Sequence, residues 1–208
     1  MIEIMYLPVE SFKTINSSDN VSLLEPQRLN ENLAKCSQVN PCSLSPFQRI
    51  LLTTDGSITD MLEAYNRERM KLVKISEEIT NLETDILPMQ LQKGAEVIER
   101  KILLRGKISQ KNYIYAESII VPNRLGSQFR NELLTTKTPI GKLWYEQKVE
   151  TFKEIITTGK YFANELASYF QIDPQDKMIF RTYSVISNQK YTMMITEHFP
   201  EVYFVDGL

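Results

Sequence analysis

Apolar positions recur along this chain with two periods, and each change of period marks an element. Ser45-Pro46 opens a helix, with a hydroxyl at the cap and proline in the first turn. Phe47, Ile50 and Leu51 form its inner stripe, and Asp55-Gly56 stops it as a turn dipeptide. Thr54 and Asp55 read as builders of that turn. A second helix is predicted over 58–69, from Ile58, Met61, Leu62 and Tyr65 at helical spacing. Ser57, with Asp60 three residues on, resembles a capping box before it. At Leu72 the period becomes two, which predicts a strand over 71–79 with Val73, Ile75 and Ile79 inward. Residues 88–93 form a connection. Two more strands follow over 95–105 and 113–121, joined by a loop over 106–112, and Pro122 ends the second.

Helical spacing then returns. A short helix is expected over 125–134, with Phe129 and Leu133 inward. Thr138-Pro139-Ile140-Gly141 opens another, with threonine at the cap and Ile140, Leu143, Trp144 and Gln147 along one stripe. Phe152, Ile155, Ile156, Phe162, Leu166 and Phe170 continue a helical pattern, broken near 157–159 and closed by Asp173-Pro174. The chain ends in a hairpin over 178–186 and 191–199. Strand pairs joined by short loops predict an α+β fold: a mostly antiparallel sheet of about five to six strands, with helices packed on one face. Residues 1–44 are polar and irregular and read as an arm packed on a single domain over 45–208.

Composition narrows the function classes. A hydrophobic content of 42% in 208 residues supports a globular core. A net charge of −2 gives no footprint for nucleic acid or an anionic membrane. No apolar run approaches the roughly 18 residues that span a bilayer, and the first residues lack the features of a signal peptide. A cytoplasmic protein is expected (stromal if plastid-encoded), as a monomer or small homo-oligomer. Cys36 and Cys42 are expected to be free thiols in that compartment. One histidine, His198, disfavours a zinc site built on several His and Cys ligands or a His-based nucleophile. Chemistry should rest on carboxylates, arginines and backbone amides.

Two charges interrupt apolar strand faces. Glu197 shares a face with Tyr191, Met193, Ile195 and Phe199; Arg100 shares one with Ile98, Ile102 and Leu104. A buried carboxylate costs several kcal/mol unless it is protonated, paired or ligand-bound. Glu197 is therefore either half of an internal salt bridge, to Arg100 or Arg181, or a general acid/base. Arg100 either snorkels or pairs structurally, or captures a substrate carboxylate. The amides of Ile140 and Gly141 sit at a helix start that suits an anion, or they simply initiate the helix. Glu117, on a face with Tyr113, Tyr115, Ile119 and Val121, is a rim residue or partners an inner arginine. His198 alternates away from Glu197 and reads as a surface or sheet-packing residue.

These segments combine into a resemblance. Arg100-Lys101-Ile102-Leu103-Leu104, Ala116-Glu117-Ser118-Ile119-Ile120-Val121-Pro122, Thr138-Pro139-Ile140-Gly141 and Thr196-Glu197-His198-Phe199-Pro200 are similar, in order and spacing, to motifs of chorismate pyruvate-lyases. Residues 45–56 resemble the N-terminal signature of the branch found in cyanobacteria, plastids and some actinobacteria. The resemblance implies an antiparallel sheet with helices and cofactor-independent removal of pyruvate from chorismate to give 4-hydroxybenzoate, destined for a quinone or related metabolite. It implies that Arg100 binds ligand, that Glu197 is essential, and that the Ile140 backbone touches ligand. Arg181 and Gly141 join the expected substrate-binding set. Glu117 stands where ubiquinone-pathway members carry a glycine whose backbone touches product. The alternative reading is a non-catalytic effector-binding module, since some transcriptional regulators share the fold; no DNA-binding helix pair or basic stripe is evident in the first 44 residues. A third is an enzyme acting on another enolpyruvyl ether.

Overall fold

The computed structural model describes residues 14–15, 36–37, 39–136 and 138–205. The expected N-terminal arm lies almost wholly outside the described residues. Within it, β1 (Thr14–Ile15) and β2 (Cys36–Ser37) form a two-residue antiparallel ladder. Cys42 is an exposed free thiol; the Cys36 side chain lies outside the described set.

Six long strands build the domain. They are β3 (Met70–Asn81), β4 (Glu96–Gly106), β5 (Asn112–Ile120), β6 (Phe152–Phe162), β7 (Lys177–Ser187) and β8 (Lys190–Pro200). Their order in one antiparallel sheet is β3-β4-β5-β8-β7-β6. The sheet is thus two three-stranded meanders whose last strands, β5 and β8, pair at the centre. Those two strands are buried on both faces, every residue of β5 included. The fold is α+β, as the strand and helix order implies.

One face carries α1 (Pro46–Thr53), α2 (Ile58–Asn66), α3 (Ser127–Thr135) and α4 (Ile140–Glu146). Leu51, Leu52 and Leu62 pack there on Leu104, Ile114, Ile179 and Phe199, while Phe129, Leu133 and Leu143 pack on Ile98, Ile120, Val185 and Met193. The other face is covered by the short α5 (Ala167–Phe170) and the connection over 82–95. Helix starts follow local chemistry. The Ser45 hydroxyl accepts from the Gln48 amide at 3.2 Å, and the Gln48 side chain accepts from the Ser45 amide at 2.8 Å, a complete capping box. Ser57 accepts from the Asp60 amide at 3.3 Å.

Three expectations are corrected. Residues 152–162 form a strand, not a helix. A β-bulge between Ile155 and Thr157 shifts the alternation by one residue, so a period-two pattern acquires helical spacing. In β3 a bulge between Lys74 and Ser76 does the same in reverse. Leu72 is buried, Val73 is half-buried against the other face, and Ile75 and Ile79 are exposed. The cap of α4 is Pro139 rather than Thr138, with no side-chain hydrogen bond.

The junction between α2 and β3 is held by Glu68. Its carboxylate accepts from the Ile108 amide at 2.9 Å, the Ser109 amide at 3.0 Å, the Ser109 hydroxyl at 2.6 Å and the Tyr113 hydroxyl at 3.1 Å. Gly106 leaves it room, since a Cβ there would lie 2.4 Å from a carboxylate oxygen. The bonds from Ser109, chiefly its hydroxyl, hold the Glu68 pKa at about 2, below the ordinary 4.5. A depressed carboxyl pKa stabilises the fold above the unfolded value and loses that effect as pH falls. Urea unfolding of wild type and Glu68→Gln should therefore differ most above about pH 4.5, and the difference should shrink toward pH 2.

Candidate functional site

Sheet register sets two rows of side chains on the helix-covered face. Arg100, Ser118, Ile195 and Tyr183 lie side by side on β4, β5, β8 and β7. Two residues along, Ile102, Ala116, Glu197 and Arg181 form the next row. Ala116 and Ser118 are short, so the floor dips at the centre of the sheet. The turn between α1 and α2 and the first turn of α4 roof this floor. The result is a cavity of about 650 Å³, large enough for a small aromatic or cyclohexadienyl acid.

Arg100 enters one end. It is 1% exposed, and its three guanidinium nitrogens have no hydrogen-bond partner among the described residues. Its nearest carboxylate, Glu77, is 3.4 Å from Nε and also receives Lys74 at 2.5 Å. The bulge at Ile75 is what rotates Glu77 onto this face. Burial pulls the Arg100 pKa below its ordinary value, and the Glu77 charge opposes that shift. A guanidinium has five donors and does not deprotonate in proteins, so among the described residues this group is a buried cation with one ion-pair partner and none of its donors satisfied by a hydrogen bond. An anion is the group that satisfies it.

Glu197 lies toward the other end. Arg181 Nε donates to one carboxylate oxygen at 2.7 Å, and the Tyr183 hydroxyl donates to the other at 3.0 Å. Arg181 Nη1 donates to the Thr54 carbonyl at 2.6 Å, tying the pair to the roof. Burial opposes the charge on Arg181, but the adjacent Glu197 carboxylate more than offsets it and holds the pKa above the guanidinium norm. Burial, with the Glu197 charge adding to it, pushes the Tyr183 hydroxyl well above 10. A carboxylate offers about four lone-pair sites, so Glu197 keeps acceptor capacity toward the cavity it lines.

The sequence-predicted residues therefore divide. Arg100, Glu197, Ile140 and Gly141 line one cavity. Arg181 is fully buried behind Glu197 and does not line it. It is the internal partner of Glu197, in place of the expected substrate contact, because Arg181 and Glu197 are direct cross-strand neighbours. Glu117 is also corrected: strand alternation puts it on the opposite face, where the Tyr115 hydroxyl donates to it at 2.7 Å and Lys101 approaches to 3.6 Å. His198 is buried on that face, with Nδ1 2.6 Å from the Tyr161 hydroxyl, and burial holds its pKa at about 3. It packs the sheet and is not a surface residue. Thr54 and Asp55 do build the turn, and Asp55 also reaches the cavity mouth.

Tyr183 and Lys153 were missed as site residues. Lys153 lay in the stretch read as helical, where nothing marked its facing. Among the described residues no three His, Cys, Asp or Glu side chains come together to hold a metal. No helix among them is long and apolar enough to cross a membrane.

Comparison with known proteins adds the lineage. The model of the family Chorismate pyruvate-lyase Rv2949c-like matches residues 52–204. The chain belongs to this family. Chorismate pyruvate-lyase of Mycobacterium leprae is 27% identical over 162 residues, 76% of each chain. That of Mycobacterium tuberculosis (strain CDC 1551 / Oshkosh) is 27% identical over 166 residues, 76% of this chain and 82% of its own. Members of this family are lyases by name. Among solved structures, the effector domain of PhnF from Mycobacterium smegmatis superposes with a TM-score of 0.56 at 11% identity, covering 72% of this chain and 91% of that one. That likeness is one of fold.

Removing one partner of a buried pair strands the other charge, which costs about 3–5 kcal/mol. Arg181→Met should lose stability on that scale in urea unfolding, and Arg181→Met with Glu197→Gln should lose less than the single change.

Proposed function

We propose that this protein eliminates pyruvate from chorismate to form 4-hydroxybenzoate, with Arg100 holding a substrate carboxylate and Glu197 moving the proton. The observation that carries the reading is the buried guanidinium of Arg100, which has one ion-pair partner, Glu77, but no hydrogen bond among the described residues, in the same cavity as a carboxylate that is already charge-balanced by Arg181. Family membership supplies the substrate, since the mycobacterial relatives are named chorismate pyruvate-lyases.

Chorismate is a dianion on a non-aromatic ring. In the reaction the ring C–O bond to the enolpyruvyl group breaks, and its electrons leave with the ether oxygen. The ring carbon bearing the hydroxyl loses its hydrogen as a proton, and that C–H pair completes the aromatic ring. The enolpyruvate oxygen gains a proton and the product ketonises to pyruvate, so atoms and charge balance without an added reagent. Aromatisation supplies the driving force. The protein has to orient the substrate and carry one proton from carbon to oxygen.

Glu197 suits that transfer. It lies beside the floor made by Ala116 and Ser118, and its orientation is set by two donors from β7. Arg100 stands across β5 from it, about 10 Å away laterally at roughly 4.8 Å per strand. A bound carboxylate at Arg100 thus leaves the rest of a six-membered ring to reach Glu197. The first-turn amides of Ile140 and Gly141 precede any intrahelical acceptor and support the same anion or its neighbour.

Incubation with chorismate and detection of both pyruvate and 4-hydroxybenzoate tests the activity; binding without turnover would mark the chain as a ligand-binding module instead. Glu197→Ala should lower kcat on the order of 10²–10⁴-fold, and unchanged release of 4-hydroxybenzoate would remove the proton-transfer role. Arg100→Ala should raise KM strongly, and unchanged kinetics would leave Arg100 a structural group.

A further inference from the structure

Besides Arg100 the cavity is lined by two lysines that the reading above leaves unused, the exposed Lys148 and the part-buried Lys153. Lys153 lines it from the edge strand β6. Its Nζ donates to the Gly56 carbonyl at 2.8 Å and lies 5.8 Å and 5.5 Å from the centres of the Trp144 and Tyr183 rings. An ammonium has three donors. Among the described residues one is used, on a neutral carbonyl, and no carboxylate lies within the 4.0 Å of an ion pair. Two other part-buried lysines here are matched with a glutamate, Lys74 with Glu77 and Lys160 with Glu201, while Lys71 meets the Gln110 side chain and Lys177 lies over the Phe162 ring. The carboxylate nearest in charge terms, Glu197, is already taken by Arg181 and Tyr183. Burial, the largest influence, lowers the Lys153 pKa, while the charges of Glu197 and Asp55 act the other way.

We infer that Lys153 is a second carboxylate-binding group, and that the cavity is built for a dianion held at both ends, one carboxylate on Arg100 and the other on Lys153. The placement supports this. Arg100 is on β4 and Lys153 on β6, with β5, β8 and β7 between them. Two long side chains therefore enter one cavity from strands on either side of β8, the strand that carries Glu197. Register sets Lys153 in the row of Val185 and Met193, Arg100 in the row of Ile195 and Glu197 in the row beyond, so a ligand spanning the two cations crosses β8 on the side of Ile195. The rings of Trp144 and Tyr183 narrow the space around the part-buried ammonium, and a lowered local dielectric strengthens its attraction for an anion. The lysine also has a fixed anchor: the bond to Gly56 ties it to the α1–α2 turn, the same turn that Arg181 grips at Thr54. This inference rests on the proposed chorismate site and deepens it by assigning the second carboxylate.

The test compares one carboxylate with two, using ligands that do not react. Calorimetric titration of wild type, Lys153→Met, Lys153→Arg and Arg100→Met is run with 4-methoxybenzoate and with 4-(carboxymethoxy)benzoate, whose ether arm carries a second carboxylate. Wild type should favour the diacid. Lys153→Met should weaken diacid binding roughly tenfold to a hundredfold, the size of a charge-assisted bond, and leave the monoacid within about twofold. Lys153→Arg should keep most of the preference, which separates lost charge from lost packing. Arg100→Met should weaken both ligands. Equal loss of both ligands in Lys153→Met, no loss of either, or no diacid preference in wild type would overturn the inference. If wild type releases 4-hydroxybenzoate from chorismate while Lys153→Met keeps the diacid preference, the lyase reading stands and the role of Lys153 falls. If the preference depends on Lys153 but chorismate is not turned over, the dianion site stands and the lyase reading falls.

Discussion

The contact between Arg181 and Glu197 is the constraint that the rest of the site depends on. Both charges sit in a sheet interior, where desolvating either alone costs several kcal/mol. They are tolerable together because antiparallel register makes them direct neighbours, 2.7 Å apart from Nε to oxygen. The Tyr183 hydroxyl satisfies the second oxygen and the Thr54 carbonyl takes a further guanidinium proton. One network therefore sets the direction of the carboxylate and fastens the α1–α2 turn over the sheet. The cavity roof and its acid are thus positioned by the same bonds.

Arg100 is the contrasting case. It is as deeply buried as Arg181, yet beyond a 3.4 Å ion pair with Glu77 it makes no hydrogen bond among the described residues. Stability alone would not favour such a group, since a buried cation without hydrogen bonds is among the costlier features of a fold. The opposite face of the sheet shows what balanced burial looks like here: His198 meets Tyr161, Thr182 meets Thr196 at 2.8 Å, and Glu117 accepts from Tyr115. Pairing on that face is not complete, since His198 Nε2 and Thr157 Oγ1 have no partner among the described residues. On the cavity face the group without a hydrogen bond among them is a whole guanidinium, that of Arg100.

The fold supplies the opening without dictating the chemistry. Two meanders meeting at β5 and β8 bury the central strands, and helices on one side leave a pocket above the small residues Ala116 and Ser118. A regulator's effector domain shares this architecture at 11% identity. This chain sets Arg100 and Glu197 on that floor, in keeping with the general rule that function lives in sites set on shared folds.

By itself the sequence determined the α+β class, the final hairpin, the capped start of α1 and the inward facing of Arg100 and Glu197, because alternation and capping are local properties. Ile140 and Gly141 were placed by the same local logic, as a helix start. Only the tertiary structure decided which charges meet. Arg181 and Glu197 lie sixteen residues apart, and their pairing depends on hairpin register. Glu117 was read as a rim residue or the partner of an inner arginine, at a position where related enzymes carry a glycine that touches product, yet alternation turns it to the other face. Lys153 and Tyr183 escaped notice as site residues. For Lys153 the reason is a one-residue bulge in β6 that gave its strand the spacing of a helix, and a bulge in β3 likewise misplaced Ile75 and Ile79 while bringing Glu77 to Arg100. A bulge adds a residue to one strand against its partner, and the shifted alternation it leaves in that strand cannot be told from helical spacing until the partner strand is in place.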